Sequence, residues 1–195
     1  MDVAILGGSF DPPHLGHLTL ARHAVKSFGF DCVFLMPCLN HRFNKPMQSP
    51  EHRVAMCKLA ADGDPKIVVS EYEIKKKLTG ESYYLLKSLL SEASASEYGF
   101  SMVIGMDNAL CFDKWFRCEE LKKMIPFVII PRKGVEPPQG DQWFHKPPHT
   151  VAPPMDGDME ISSTRIRELI KGGRSTDGML HPKVAEYIRE HGLYK

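Results

Sequence analysis

The sequence predicts an α/β fold: a three-layer, doubly wound parallel sheet with a small helical extension at its carboxyl end. Short apolar runs alternate with segments of helical period between residues 2 and 130, the pattern of a parallel sheet covered on both faces. The first run ends in Gly7-Gly8 and passes straight into a helix, the kind of turn beyond which such sheets bind ligands. A length of 195 residues suits one domain spanning 1–195, long enough to bury a core without disulfides.

Residues 2–6 form the first strand, and Leu18, Ala21, Val25 and Phe28 then recur at helical spacing up to Gly29. Residues 32–36 make a second strand before Pro37. Ser49-Pro50-Glu51 opens a helix with a cap, a first-turn proline and an acid, and Val54 and Leu59 supply its apolar face. A third strand at 66–70, a helix over 81–92 with Leu86, Leu89 and Leu90, and strands at 100–104 and 127–130 follow. Residues 134–154 are rich in Pro, Gly, His and polar side chains, so they read as a long surface connection with at most a short strand near Thr150-Val151. Ser162-Ser163-Thr164 then starts a helix that stops at Gly172-Gly173, and Pro182 begins a last one with Val184 and Ile188 on its apolar face. Residues 161–195 thus form the helical extension.

Composition excludes several functions. Lys plus Arg number 25 against 24 for Asp plus Glu, so there is no global positive field of the kind that binds nucleic acid polymers. The amino terminus lacks the basic start and long apolar stretch of a signal peptide, and no later segment approaches a membrane span. The five cysteines are odd in number and form no CxxC pair, which argues against a disulfide framework or zinc knuckle and fits a reduced, cytoplasmic setting.

The densest chemical signal is residues 7–17, GGSFDPPHLGH. Glycines let backbone approach a phosphate, and amides at a helix start carry partial positive charge. Neither a P-loop (GxxxxGKS/T) nor the GxGxxG of a dinucleotide-binding turn is present. His14 and His17 lie three apart and share one face of the first helical turn. Taken alone they serve as well as cap or packing residues, and metal ligation is a third use, for which no third ligand stands at matching spacing. The flanking glycines favour phosphate. A second helix start, Ile161-Ser162-Ser163-Thr164 with Arg167 one turn on, is either an ordinary cap or a receiver of outer phosphates.

With these residues in view, the sequence closely resembles the nicotinate or nicotinamide mononucleotide adenylyltransferases, within the HxGH nucleotidyltransferase superfamily. Gly8, Phe10, Pro12, His14, Gly16 and His17 meet its GxFxPxHxGH pattern, and residues 161–167 meet ISSTxxR. Residues 49–56 (SPEHRVAM), Ile104-Gly105-Met106-Asp107 followed by Trp115, and an ending that runs from His181-Pro182 to His191-Gly192-Leu193-Tyr194 look like the bacterial, nicotinate-preferring branch. The resemblance spans the whole chain and implies a Rossmann-like fold.

By that resemblance His14, His17 and Arg167 carry catalysis. ATP would lie on Gly8, Ser9, Phe10, Gly16, Gly105, Asp107, Ile161, Ser162, Ser163 and Thr164, accompanied by Mg²⁺ for which no residue is assigned as ligand. Lys45, Ser82 and Trp115 would hold the mononucleotide, Trp115 by stacking on the pyridine ring. From the residues alone, Trp115 fits a core tryptophan equally well, and Lys45 a solvated charge. The family's threonine near the pyridine carboxylate falls on Ser82, and a second one on Leu85. The 5′-phosphate of the mononucleotide is already ionised, so the implied reaction needs positioning and charge stabilisation rather than a protein nucleophile. Rival readings are another HxGH activity, such as pantetheine-phosphate adenylyl or cytidylyl transfer, and a non-catalytic nucleotide sensor or protein-binding scaffold. Oligomeric state is open to a homo-oligomer.

Overall fold

The computed structural model describes residues 1–40, 46–92, 97–132, 134–137, 139–155 and 161–195. Six parallel strands, β1 (Asp2–Gly8), β2 (Cys32–Pro37), β3 (Ile67–Val69), β4 (Gly99–Gly105), β5 (Phe127–Ile130) and β6 (Thr150–Val151), form one sheet in the order β3-β2-β1-β4-β5-β6. Strand β1 is central because its run Val3-Ala4-Ile5-Leu6 is buried on both faces. Alternate side chains divide between two cores. Ala4 and Leu6 join one cluster, and Val3 and Ile5 join the other.

Each core is roofed by helices. Over the first lie α1 (Leu15–Phe28), α2 (Pro50–Ala61), α7 (Ser163–Lys171) and α8 (Pro182–Glu190), through Leu18, Met56, Ile166 and Val184. Over the second lie α4 (Ser82–Leu90), α5 (Met106–Leu110) and α6 (Cys118–Met124), through Leu86, Ala109 and Leu121. Helix ends follow local chemistry. Gly29 closes α1 in the left-handed region and returns its N–H to Val25. Ser49 caps α2 ahead of Pro50, and the Ser162 hydroxyl accepts from Arg165 N–H at the start of α7. Among the described residues no helix is long and apolar enough to cross a membrane.

The predicted strands and long helices are present with ends shifted by a residue or two. Three short helices were not foreseen: α3 (Tyr72–Lys75), α5 and α6, of 4, 5 and 7 residues, too short to display a helical period. The connection over 134–154 is less superficial than its composition suggests. Phe144 is fully buried, and Trp143 stacks on Phe112 at 4.4 Å while donating its indole N–H to the Ala109 carbonyl. These two aromatics pull the segment onto the second core.

Candidate active site

Chain order reverses between β1 and β4, which opens a cleft beyond their carboxyl ends, where Gly7-Gly8 and Gly105 terminate the strands. The cleft has two compartments. One, of about 400 Å³, lies towards β4 and β5 and is walled by His14, His17, Asp107, Arg132, Ser162 and Ser163. The other, of about 450 Å³, lies towards β2 and is walled by Asn40, Glu73, Glu81, Ser82, Lys114 and Phe116. Gly7, Gly8, Ser9, Asn108 and Trp115 line both.

The turn after β1 is built to present two imidazoles. Phe10 takes a left-handed φ of 47°, uncommon for a residue with a side chain, and its ring is buried edge-on to His17 at 4.9 Å. A Cβ at Gly8 would meet that ring at 3.3 Å. His14 stands at the N-cap of α1 and His17 at its third position, so the spacing read from sequence does bring them together, with rings stacked at 3.7 Å and 24°. Gly16 makes room for this, since a Cβ there would come within 3.0 Å of His14 Nδ1.

Both imidazoles are neutral near pH 7. Burial, and then the Arg132 guanidinium, lower His14 to about 4. Burial, His14 and Arg132 hold His17 well below the ordinary histidine range. His14 N–H donates to His17 Nδ1 at 3.2 Å, so the neutral His17 ring carries its proton on Nε2. The pair therefore resembles two neutral donors rather than two cations.

Helix α7 reaches the same compartment from the far end of the chain. Ser163 Oγ donates to the Pro12 carbonyl at 2.9 Å across 151 positions, and Ile161 is buried beside Gly16. Thr164 Oγ1 accepts from Arg167, whose other terminal nitrogen donates to the Asp11 carbonyl at 2.7 Å. Arg167 thus braces the turn from behind and is not among the side chains that wall the compartment. Arg132, after β5, is. It donates to the Ile161 carbonyl at 3.2 Å and faces Asp107 at 3.8 Å. In sequence it was one cation among 25, with no motif around it.

Trp115 is both packed and cleft-lining. Its ring packs on the buried Phe112 at 5.0 Å, and it lines the junction of the two compartments. Ser82, at the start of α4, and Leu85 line the second compartment, and Phe116 is supported there by Tyr84 at 5.5 Å. Lys45 lies outside the described residues. Two groups that the sequence did not single out stand in or behind this wall. Glu73 is buried within it, and Arg53 is fully buried behind it, in a stretch quoted only as a family signature.

The cytidylyltransferase-like family model matches residues 5–169. A probable nicotinate-nucleotide adenylyltransferase of Hydrogenobaculum sp. is 35% identical, over 100% of this chain and 98% of its own. The nicotinate-nucleotide adenylyltransferase of Bacillus subtilis is 33% identical, over 99% of this chain and 98% of its own. Among solved structures, Plasmodium falciparum nicotinic acid mononucleotide adenylyltransferase complexed with NaAD has the same fold, with a TM-score of 0.82 at 21% identity over 99% of this chain and 97% of that one. The match to the curated relatives, at 35% and 33% over essentially the entire length, carries the assignment: this chain belongs to the nicotinate-nucleotide adenylyltransferase family, a branch of the cytidylyltransferase-like nucleotidyltransferases.

Proposed function

We infer that the protein transfers the adenylyl group of ATP to nicotinate mononucleotide, or to its nicotinamide counterpart, giving the dinucleotide and pyrophosphate. The observation that carries this reading is the shared wall. The compartment with His14 and His17 and the compartment with Ser82 and Phe116 meet at bare Gly7-Gly8 and at Trp115, so two nucleotides can face each other phosphate to phosphate.

In the first compartment the triphosphate would lie on the backbone of Gly8, Ser9 and Phe10 and on the amides at the start of α7. The mononucleotide's phosphate oxygen attacks the α-phosphorus; a new P–O bond forms as the bond to the β-phosphate oxygen breaks, and pyrophosphate departs. His17, with its proton on Nε2, and His14 donate to oxygens on which charge accumulates. Arg132 adds positive potential at the same wall, and Arg167 keeps Asp11-Pro12 in place. Asp107, on the first turn of α5, would meet the ribose. Trp115 would stack on the pyridine, with Ser82 near its substituent and Lys45 at its phosphate.

Among the described residues no three His, Cys, Asp or Glu side chains are gathered as a metal site. Mg²⁺ would arrive with ATP, with no side chain assigned to hold it, and would supply charge neutralisation on the phosphates. The test is pyrophosphate release with ATP and each mononucleotide side by side. Release with either supports the reading and ranks acid against amide. ATP binding by calorimetry without release on any acceptor would replace the enzyme with a nucleotide sensor.

A further inference from the structure

Arg53 is fully buried, yet none of its nitrogens lies within ion-pair distance of a carboxylate among the described residues. Its guanidinium instead gathers three carbonyls. Nε donates to Gln48 at 3.0 Å, one terminal nitrogen to Ser9 at 2.8 Å, and the other to Leu39 at 3.2 Å. Burying a cation is costly even where carbonyl dipoles and the nearby Glu73 carboxyl attract it, so the arrangement is more than filler. Glu73 holds the other end of the same residue, where Oε1 accepts from Leu39 N–H at 2.9 Å. Next in sequence, the Asn40 carbonyl packs on Gly80, a residue with φ of 92° at which any Cβ would collide with that oxygen. Ser9, Asn40, Glu73 and Gly80 all line the second compartment.

We propose that Arg53 and Glu73 are positioning residues for the mononucleotide: they clamp the Leu39 backbone, Glu73 at its N–H and Arg53 at its carbonyl, and the Arg53 guanidinium ties it to Ser9 so that the second compartment and the phosphate turn are held in one register. Neither side chain needs to touch the reacting atoms. Leu39 and Gln48 flank residues 40–47, so one guanidinium fixes both ends of the segment that contains Lys45. Glu73 acts on the compartment alone, whereas Arg53 acts on both the compartment and the turn. The inference rests on the mononucleotide reading above, and its test separates the two.

The test is steady-state kinetics with ATP and the better mononucleotide, on wild type, Glu73→Ala, Arg53→Lys and the double variant, each first shown to melt cooperatively. Glu73→Ala is expected to raise the mononucleotide KM about tenfold, with the ATP KM within about twofold and kcat within about threefold. Arg53→Lys keeps the charge but not the three-way fork, and is expected to raise that KM and lower kcat about tenfold. Because both hold one residue, the double variant should lose less than the product of the single losses. Wild-type protein inactive with both mononucleotides overturns the functional reading. Active wild type beside a Glu73→Ala protein with both KM values unchanged, or both raised equally, overturns the clamp. If Arg53→Lys does not fold, Glu73→Ala and the exchange rate of the Leu39 amide, expected to rise at least tenfold in that variant, decide the matter.

Discussion

The Tyr194 hydroxyl donates to Asp11 Oδ1 at 2.7 Å, joining residues 183 positions apart. Asp11 is buried; the same oxygen accepts from Gln48 N–H, and its backbone carbonyl accepts from Arg167. Burial, and then the carboxylate, push the Tyr194 phenol well above its ordinary range, so it remains a donor as pH rises. Removing a buried donor to a carboxylate costs about 2 kcal/mol. Tyr194→Phe is accordingly expected to lower the urea midpoint with an unchanged m-value, and to reduce turnover several-fold because the brace behind the phosphate turn loosens. A variant with the wild-type midpoint would remove Tyr194 from this network.

His17→Ala should lower kcat about a hundredfold, the usual range for losing one charge-stabilising donor, while the melting temperature changes little. Stopped assays of pyrophosphate release, paired with a thermal melt, check both halves. Near-normal turnover would show that the proton on Nε2 does not face developing charge.

His14 and Glu73 give stability opposite pH slopes. His14 sits at about 4 against an ordinary 6.5, so over that window the unfolded chain holds a proton that the fold does not, and stability rises with pH. Glu73 is pushed up to about 7 from 4.5 by burial, against the Leu39 N–H and Arg53, so the fold keeps its proton longer and stability falls as pH rises from about 4.5 to 7. Each effect is on the order of 3 kcal/mol. Glu73→Gln, which retains the acceptor for Leu39, should match wild type below about pH 4.5 and exceed it by a few kcal/mol above about pH 7. Urea titrations across that range test the sign, and an advantage confined to acid would reverse it.

Arg132→Gln removes one of the charges that hold His14 and His17 neutral. Both imidazoles should titrate at higher pH, visible by NMR, and the ATP KM should rise about tenfold as positive potential leaves that wall. Unmoved titrations would mean that burial alone sets the two rings.

The sheet was legible because β1, β2, β4 and β5 are long runs buried on both faces, which leave an unbroken apolar signature. The histidine pair was legible because three-residue spacing at a helix start has one geometric outcome. Arg132, Arg53 and Glu73 were not. An arginine that gathers three carbonyls from two loops leaves no spacing to detect, and Glu73 sits in a charged stretch, 71–77, that reads as solvated surface. Arg167 shows the complementary limit: its motif marks its position, while the partner it takes, a backbone carbonyl 156 residues away, follows only from the fold.

The compartments share a floor at Gly7, Gly8 and Ser9 and a common flank at Trp115. A joined dinucleotide would therefore keep the contacts of both nucleoside monophosphate halves, losing only those to the departed pyrophosphate, without two separate losses of translational freedom. Such a product would be held at both ends at once, so the shared floor would slow its departure rather than the making of the bond.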